Sequence, residues 1–169
     1  DTAIPVAARR RIAKIFADET EIDNRFFEPG DEWRCRNGLY ADIMYRTPEW
    51  IEDRLASVLL RHEACTGYTT CFWHNVLNSR VLFDRNGWYA KLQKSANRPY
   101  PAKLKNAIIA KNFPLLSGTI SSYTNQVRKA VKRADAVSAN HRVAAFLASY
   151  FDVLFAVNSP RFSCVFLGN

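Results

Sequence analysis

Apolar residues recur in short, helix-like steps over much of this chain, and only its first part alternates as strands do. Residues 6–17 predict a helix, with Val6, Ile12, Ile15 and Phe16 at partial helical spacing and arginines between them. Residues 18–38 are acidic and aromatic, and Pro29-Gly30 and Asn37-Gly38 mark turns. A short strand is expected over 22–27. Leu39 to Arg46 alternates as a half-buried strand does. Thr47-Pro48-Glu49 then opens a helix whose buried stripe is Ile51, Leu55, Val58 and Leu59, ending near His62. Gly67 breaks the chain, and Thr69 or Thr70 caps a helix through Asn78. Val81-Leu82-Phe83 reads as a strand running into the turn Asp84-Arg85-Asn86-Gly87.

The remainder predicts helices over 87–97, 101–112, 115–134 and 138–158, punctuated by Pro99, Pro101 and Pro114. Ile120, Tyr123, Val127 and Val131 form the stripe of the third. Ser138 is the expected cap of the last. That last helix is apolar around most of its circumference and is expected at the centre of a bundle. The pattern therefore predicts an α+β chain: a mixed α/β region over 1–86 and a helical bundle over 87–169.

Composition narrows this picture. Hydrophobic residues make up 48% of the 169, enough for a core and against general disorder. The longest apolar stretch, 143–157, falls short of the ~20 residues a bilayer span needs, and it contains Asp152. No apolar leader opens the chain, and a cytoplasmic protein is expected. It begins at Asp1 without Met, as a trimmed or partial chain would. Cysteines at 35, 65, 71 and 164 do not have the spacing of a small disulfide scaffold. The net charge of +8 is uneven: residues 1–60 carry 9 Lys/Arg and 12 Asp/Glu, whereas 61–169 carry 15 and 4. A basic half suits an anionic partner, nucleotide or nucleic acid, and equally a solvated helical surface.

Several residues stand out chemically. Asp42 sits in Tyr40-Ala41-Asp42-Ile43-Met44-Tyr45-Arg46, where an apolar strand would bury a carboxylate at a cost unless something compensates it. Arg46, on the same face, or a metal ion would serve. His62, Cys65, Cys71 and His74 have zinc-ligand chemistry, although the short spacing favours buried thiols and a hydrogen-bonded histidine. Thr69 and Thr70 place hydroxyls and N–H groups at a helix start, where phosphate binds or ordinary capping operates. His141, Arg142 and Asp152 are polar groups on the apolar last helix. The eleven residues from 141 to 152 make about three turns, so these two share a face and either find structural partners or line a substrate cleft. Tyr100, Lys111, Tyr123, Arg128 and Lys132 offer charge and stacking to phosphates or bases.

Long runs in order carry a resemblance. They are Tyr40 to Arg46, Gly67-Tyr68-Thr69-Thr70-Cys71-Phe72-Trp73-His74-Asn75-Val76-Leu77-Asn78-Ser79, Leu82-Phe83-Asp84-Arg85-Asn86-Gly87-Trp88, Pro99-Tyr100-Pro101, Ser138 to Ala145 and Ser149 to Ala156. From Leu39 to Phe155 the chain resembles the nucleotidyltransferase superfamily, in particular kanamycin nucleotidyltransferase-like bacterial proteins with a C-terminal helical domain. The resemblance implies a nucleotidyltransferase-type mixed sheet followed by a helical bundle. It implies transfer of a nucleoside monophosphate from an NTP to a hydroxyl on a small molecule, protein or RNA, with Mg²⁺. Asp42 would be the third metal-binding carboxylate, joining an upstream Asp-x-Asp. Residues 1–41 depart from the family: they contain no Gly-Ser, and Glu21-Ile22-Asp23 lies too close to Asp42 to be that pair. Ser159-Pro160-Arg161-Phe162-Ser163-Cys164 also departs from the family's ending. The expectation is a fragment inactive by itself. The alternatives are a non-catalytic nucleotide- or nucleic-acid-binding helical module and a protein-interaction domain, including a homodimer.

Overall fold

The computed structural model describes residues 4–26 and 28–158. It is an α+β protein that divides into two compact units, Asp1–Pro48 and Glu49–Asn169. The first unit contains α1 (Val6–Phe16) and three strands, β1 (Ala17–Asn24), β2 (Gly30–Cys35) and β3 (Tyr40–Met44). The strands form an antiparallel meander in the order β1-β2-β3. β2 was not expected, because Pro29-Gly30 and its acidic residues suggested a turn. The neighbouring strand runs over 17–24 rather than 22–27. Asn37-Gly38 turns β2 into β3, with Gly38 in the left-handed region at φ 84°.

A polar cluster underlies this sheet. Asp31 is fully buried and accepts hydrogen bonds from Arg9 Nη1 at 2.6 Å, Tyr45 Oη at 2.7 Å and the Asp23 N–H at 3.0 Å. The Arg9 guanidinium also lies over the Tyr45 ring, 4.6 Å from its centroid. Burial and the bond to Asp31 push the Tyr45 hydroxyl above its ordinary pKa.

The second unit comprises α2 (Pro48–Leu59), α3 (Cys71–Asn78), α4 (Trp88–Ala96), α5 (Ala102–Phe113), α6 (Tyr123–Lys132) and α7 (Ala136–Asn158). Leu55, Val58 and Leu59 of α2 and Trp73 and Val76 of α3 share one core with Leu92, Ala96, Leu104, Ile108 and Ala156. That shared core explains why the chain divides ahead of α2 and not at the expected boundary after residue 86. Trp73 is 1% exposed and donates its indole N–H to the Ala96 carbonyl at 2.9 Å.

Three expectations fail here. Val81-Leu82-Phe83 is not a strand; no neighbour pairs with it among the described residues, and Leu82 and Phe83 are largely exposed. The segment 115–134 is not one helix: a single π-helical turn, Pro114–Gly118, precedes α6, and Ile120 points to solvent. α7 is not the central helix. It packs against α5 and α6 and buries only Ser149, Asp152 and Ala156, and its opposite face is apolar and exposed. Asp135, not Ser138, caps it, accepting the Ser138 N–H at 2.9 Å.

Candidate functional site

The expected site residues fall in three separate places. The first is the open face of the sheet. Strand alternation sends Asp31 and Trp33 to one side and Glu32 and Arg34 to the other. The register sets Glu21 opposite Glu32 and Glu32 opposite Asp42, giving a row of three carboxylates across three strands. Beside it runs Glu19, Arg34 and Tyr40. These residues line a shallow cavity of about 750 Å³. Like charges directly opposite one another disfavour a sheet. Two of the carboxylates are bridged: Asn24 Nδ2 donates to Glu21 at 3.0 Å and to Glu32 at 3.1 Å. Glu19 pairs with Arg34 at 2.5 Å, and that bond holds the Glu19 carboxyl below its ordinary pKa.

Asp42 is exposed and takes part in no hydrogen bond or ion pair among the described residues. Arg46, its expected neighbour, pairs instead with Glu28. The carboxylates are hard oxygen donors of the kind Mg²⁺ prefers. Among the described residues, however, no group of three or more His, Cys, Asp or Glu is arranged to hold a metal ion. The donor chemistry fits Mg²⁺, and the ligand set within this row is incomplete.

The second place is buried. Thr69 and Asp152, eighty-three residues apart, are brought together: the Thr69 N–H donates to both Asp152 oxygens at 3.1 and 3.2 Å, and Thr69 Oγ1 donates to Oδ2 at 2.6 Å. Asp152 is 2% exposed, and burial raises its pKa against the opposing pull of those bonds. Asn112, also buried, binds the Gly67 N–H at 3.1 Å and donates to the Cys65 carbonyl at 2.9 Å. Gly67 has φ 81°, and a Cβ there would lie 2.7 Å from Ala148 Cβ. The loop before α3 is thus clamped to α5 and α7. Thr70, the N-cap of α3, is fully buried and makes no side-chain capping bond. Thr69 and Asp152 therefore satisfy each other, and Thr69, Thr70 and Asp152 are all buried. Burial also raises the pKa of the Tyr100 hydroxyl, with the Asp152 charge adding to the effect.

The third place is a cleft of about 310 Å³ in the helical unit. Tyr68 and Tyr123 are among its walls, His141 lines it, and Ala144, Ala145 and Ala148 leave the room for it. Among the described residues no carboxylate lines it. His141 faces the same side of α7 as Asp152, as the spacing predicted, but it is exposed. Arg142 is half-buried and lies outside the cleft lining. Lys111, a suggested anion contact, donates instead to the Ala64 carbonyl at 2.6 Å. The expected buried thiols also differ: Cys65 is exposed, and Cys71 is half-buried with its pKa raised by burial. His74 Nδ1 meets Asn78 Nδ2 at 3.1 Å.

Glu32 and Tyr68 escaped the sequence reading as site residues, and Glu21 entered it only within Glu21-Ile22-Asp23, set aside as a metal pair. The one local signal for β2 was Trp33 between the charged Glu32 and Arg34, and the buried Asp31 obscured it. No protein-family model, no curated protein and no solved structure matches the chain. No helix among the described residues is long and apolar enough to cross a membrane.

Proposed function

We propose that this chain is part of a nucleotidyltransferase-type protein. Its β1-β2-β3 sheet is the C-terminal part of the catalytic sheet, and its helices form the following bundle. Asp42 supplies one carboxylate to a Mg²⁺ site whose other ligands lie outside residues 1–169. The whole protein transfers a nucleoside monophosphate from an NTP to a hydroxyl acceptor, in the cytoplasm where NTP is supplied. Within that site Mg²⁺ would bind triphosphate oxygens and stabilise developing charge. The observation that carries the reading is that Asp42 stands unpaired on an open sheet face beside Glu32, available to a cation.

Two measurements test it. Titration calorimetry of this chain with Mg²⁺–ATP is expected to show no tight binding; tight, Asp42-dependent binding would refute the incompleteness of the site. The product of the complete gene is expected to carry an Asp-x-Asp ahead of Asp1 and to transfer label from [α-³²P]ATP. Asp42→Ala should lower that transfer at least 100-fold, and undiminished transfer sinks the reading.

The cleft between Tyr68, Tyr123 and His141 favours a second reading, a nucleotide- or nucleic-acid-binding helical module. Its described lining holds His141 and no carboxylate, which suits an anion. This reading predicts salt-sensitive binding that survives Asp42→Ala; binding unaffected by salt argues against it.

A further inference from the structure

The exposed face of α7 follows a rule that its composition alone does not require. Asn140, Val143, Leu147, Tyr150, Leu154 and Val157 recur at steps of three, four, three, four and three residues. This is the 3.5-residue repeat of a helix that pairs with another helix along a narrow seam. The five apolar members remain 40%, 42%, 40%, 37% and 53% exposed, in chain order. Phe151, beside the seam, is 45% exposed. α7's packing against α5 and α6 uses the other face, where Ser149, Asp152 and Ala156 are buried.

The order of steps is the same read from either end. Two antiparallel copies of α7 therefore bring Asn140 opposite Val157, Val143 opposite Leu154 and Leu147 opposite Tyr150, each pair occurring twice about a two-fold axis. A two-fold interface requires a self-complementary patch, and the seam meets that requirement. Charge does not oppose the pairing. No seam position carries a charge at neutral pH in a chain of net charge +8, and the acidic and basic residues of α7 are His141, Arg142 and the buried Asp152. Covering the seam and Phe151 on both copies removes on the order of 1,000 Å² from water, the lower limit for a specific interface.

We infer that α7 is the contact surface for a second copy of this chain, paired antiparallel about an axis between residues 148 and 149. Light scattering on the chain at about 50 µM, a concentration suited to an interface of this size, should give the mass of a dimer. Leu147→Glu/Leu154→Glu should give a monomer with unchanged far-ultraviolet circular dichroism, because both positions already face solvent in part. Arrangement is tested by cross-linking. A mixture of Val143→Cys and Leu154→Cys chains should form a disulfide-linked dimer, and each variant alone should match the parent chain, whose own cysteines set the background. A monomeric parent at this concentration overturns the inference. So does a dimer that survives the double glutamate variant, and so does equal cross-linking of Val143→Cys alone, which marks a parallel or non-specific pairing.

Discussion

The two units are stabilised by opposite means. The sheet unit centres on a buried ionic cluster, Arg9–Asp31 at 2.6 Å with the Tyr45 hydroxyl completing it. The helical unit centres on apolar side chains gathered around Trp73, Leu104 and Ile108. An ionic centre is stable only while every partner is in place, because either ion left alone in the interior lacks both water and a counter-charge. An apolar core loses stability in proportion to the contacts removed. Asp31→Ala and Trp73→Ala should accordingly have the largest effects. Each is expected to cost about 3–5 kcal/mol, the first by leaving the buried Arg9 with only its longer pair to Asp23 at 3.3 Å and the second by opening a cavity. Replacing both ions together, with Arg9→Met/Asp31→Leu, should cost less than Asp31→Ala alone, and chemical denaturation of the three variants measures this. No such recovery is expected for Trp73→Ala. If the double variant is no better than the single, the contrast between the units fails.

The same contrast explains what could be read in the sequence. Helices α3 to α5 were legible to within a residue or two, and α2 at its start though it stops at Leu59 and not near His62, because their apolar stripes repeat at helical spacing and Pro48 and Pro101 mark starts. β2 was hidden because its inward residues are Asp31 and Trp33, and a buried aspartate breaks the apolar alternation that marks a strand. Its ion-pair partner Arg9 is twenty-two residues away, a distance over which local pattern carries no information. The acidic row was hidden for the same reason, since it exists only once β2 is in register. Thr69 and Asp152 were picked out as polar groups in apolar surroundings, and their mutual bond is the answer to that oddity. What the pattern could not supply was that they satisfy each other.

Polar contacts inside the helical unit sharpen the comparison at intermediate magnitude. Gly67→Ala must hold a left-handed φ while placing its Cβ against Ala148, and should cost roughly 1–3 kcal/mol by thermal melting. Asp152 gives a pH signature. Its pKa in the folded protein is raised because burial outweighs the Thr69 bonds. The folded state therefore holds its proton more tightly than the unfolded chain. The resulting stabilisation is complete below the unfolded carboxylate value, near 4, and is lost as pH rises through the higher folded value. Relative to Asp152→Asn, which does not titrate, the parent should lose stability as pH rises above about 4. Urea unfolding at several pH values follows the difference. A parent that gains on the variant as pH rises would show that the Thr69 bonds outweigh desolvation.

The smallest effect is expected at the residue with the strongest claim to chemistry. Asp42 contributes no ion pair to the sheet unit and faces Glu32 across the strand pair. Opposed like charges cost a few tenths of a kcal/mol, so Asp42→Ala should leave stability unchanged or raise it by about that amount. Asp31 and Asp42 are eleven positions apart, both on strands of one small sheet, yet one substitution should cost several kcal/mol and the other a few tenths at most. On the proposed Mg²⁺ reading, the mild electrostatic cost of Asp42 serves a ligand and not the fold. A clear loss of stability in Asp42→Ala would assign Asp42 a structural partner instead and remove the observation on which the Mg²⁺ reading rests.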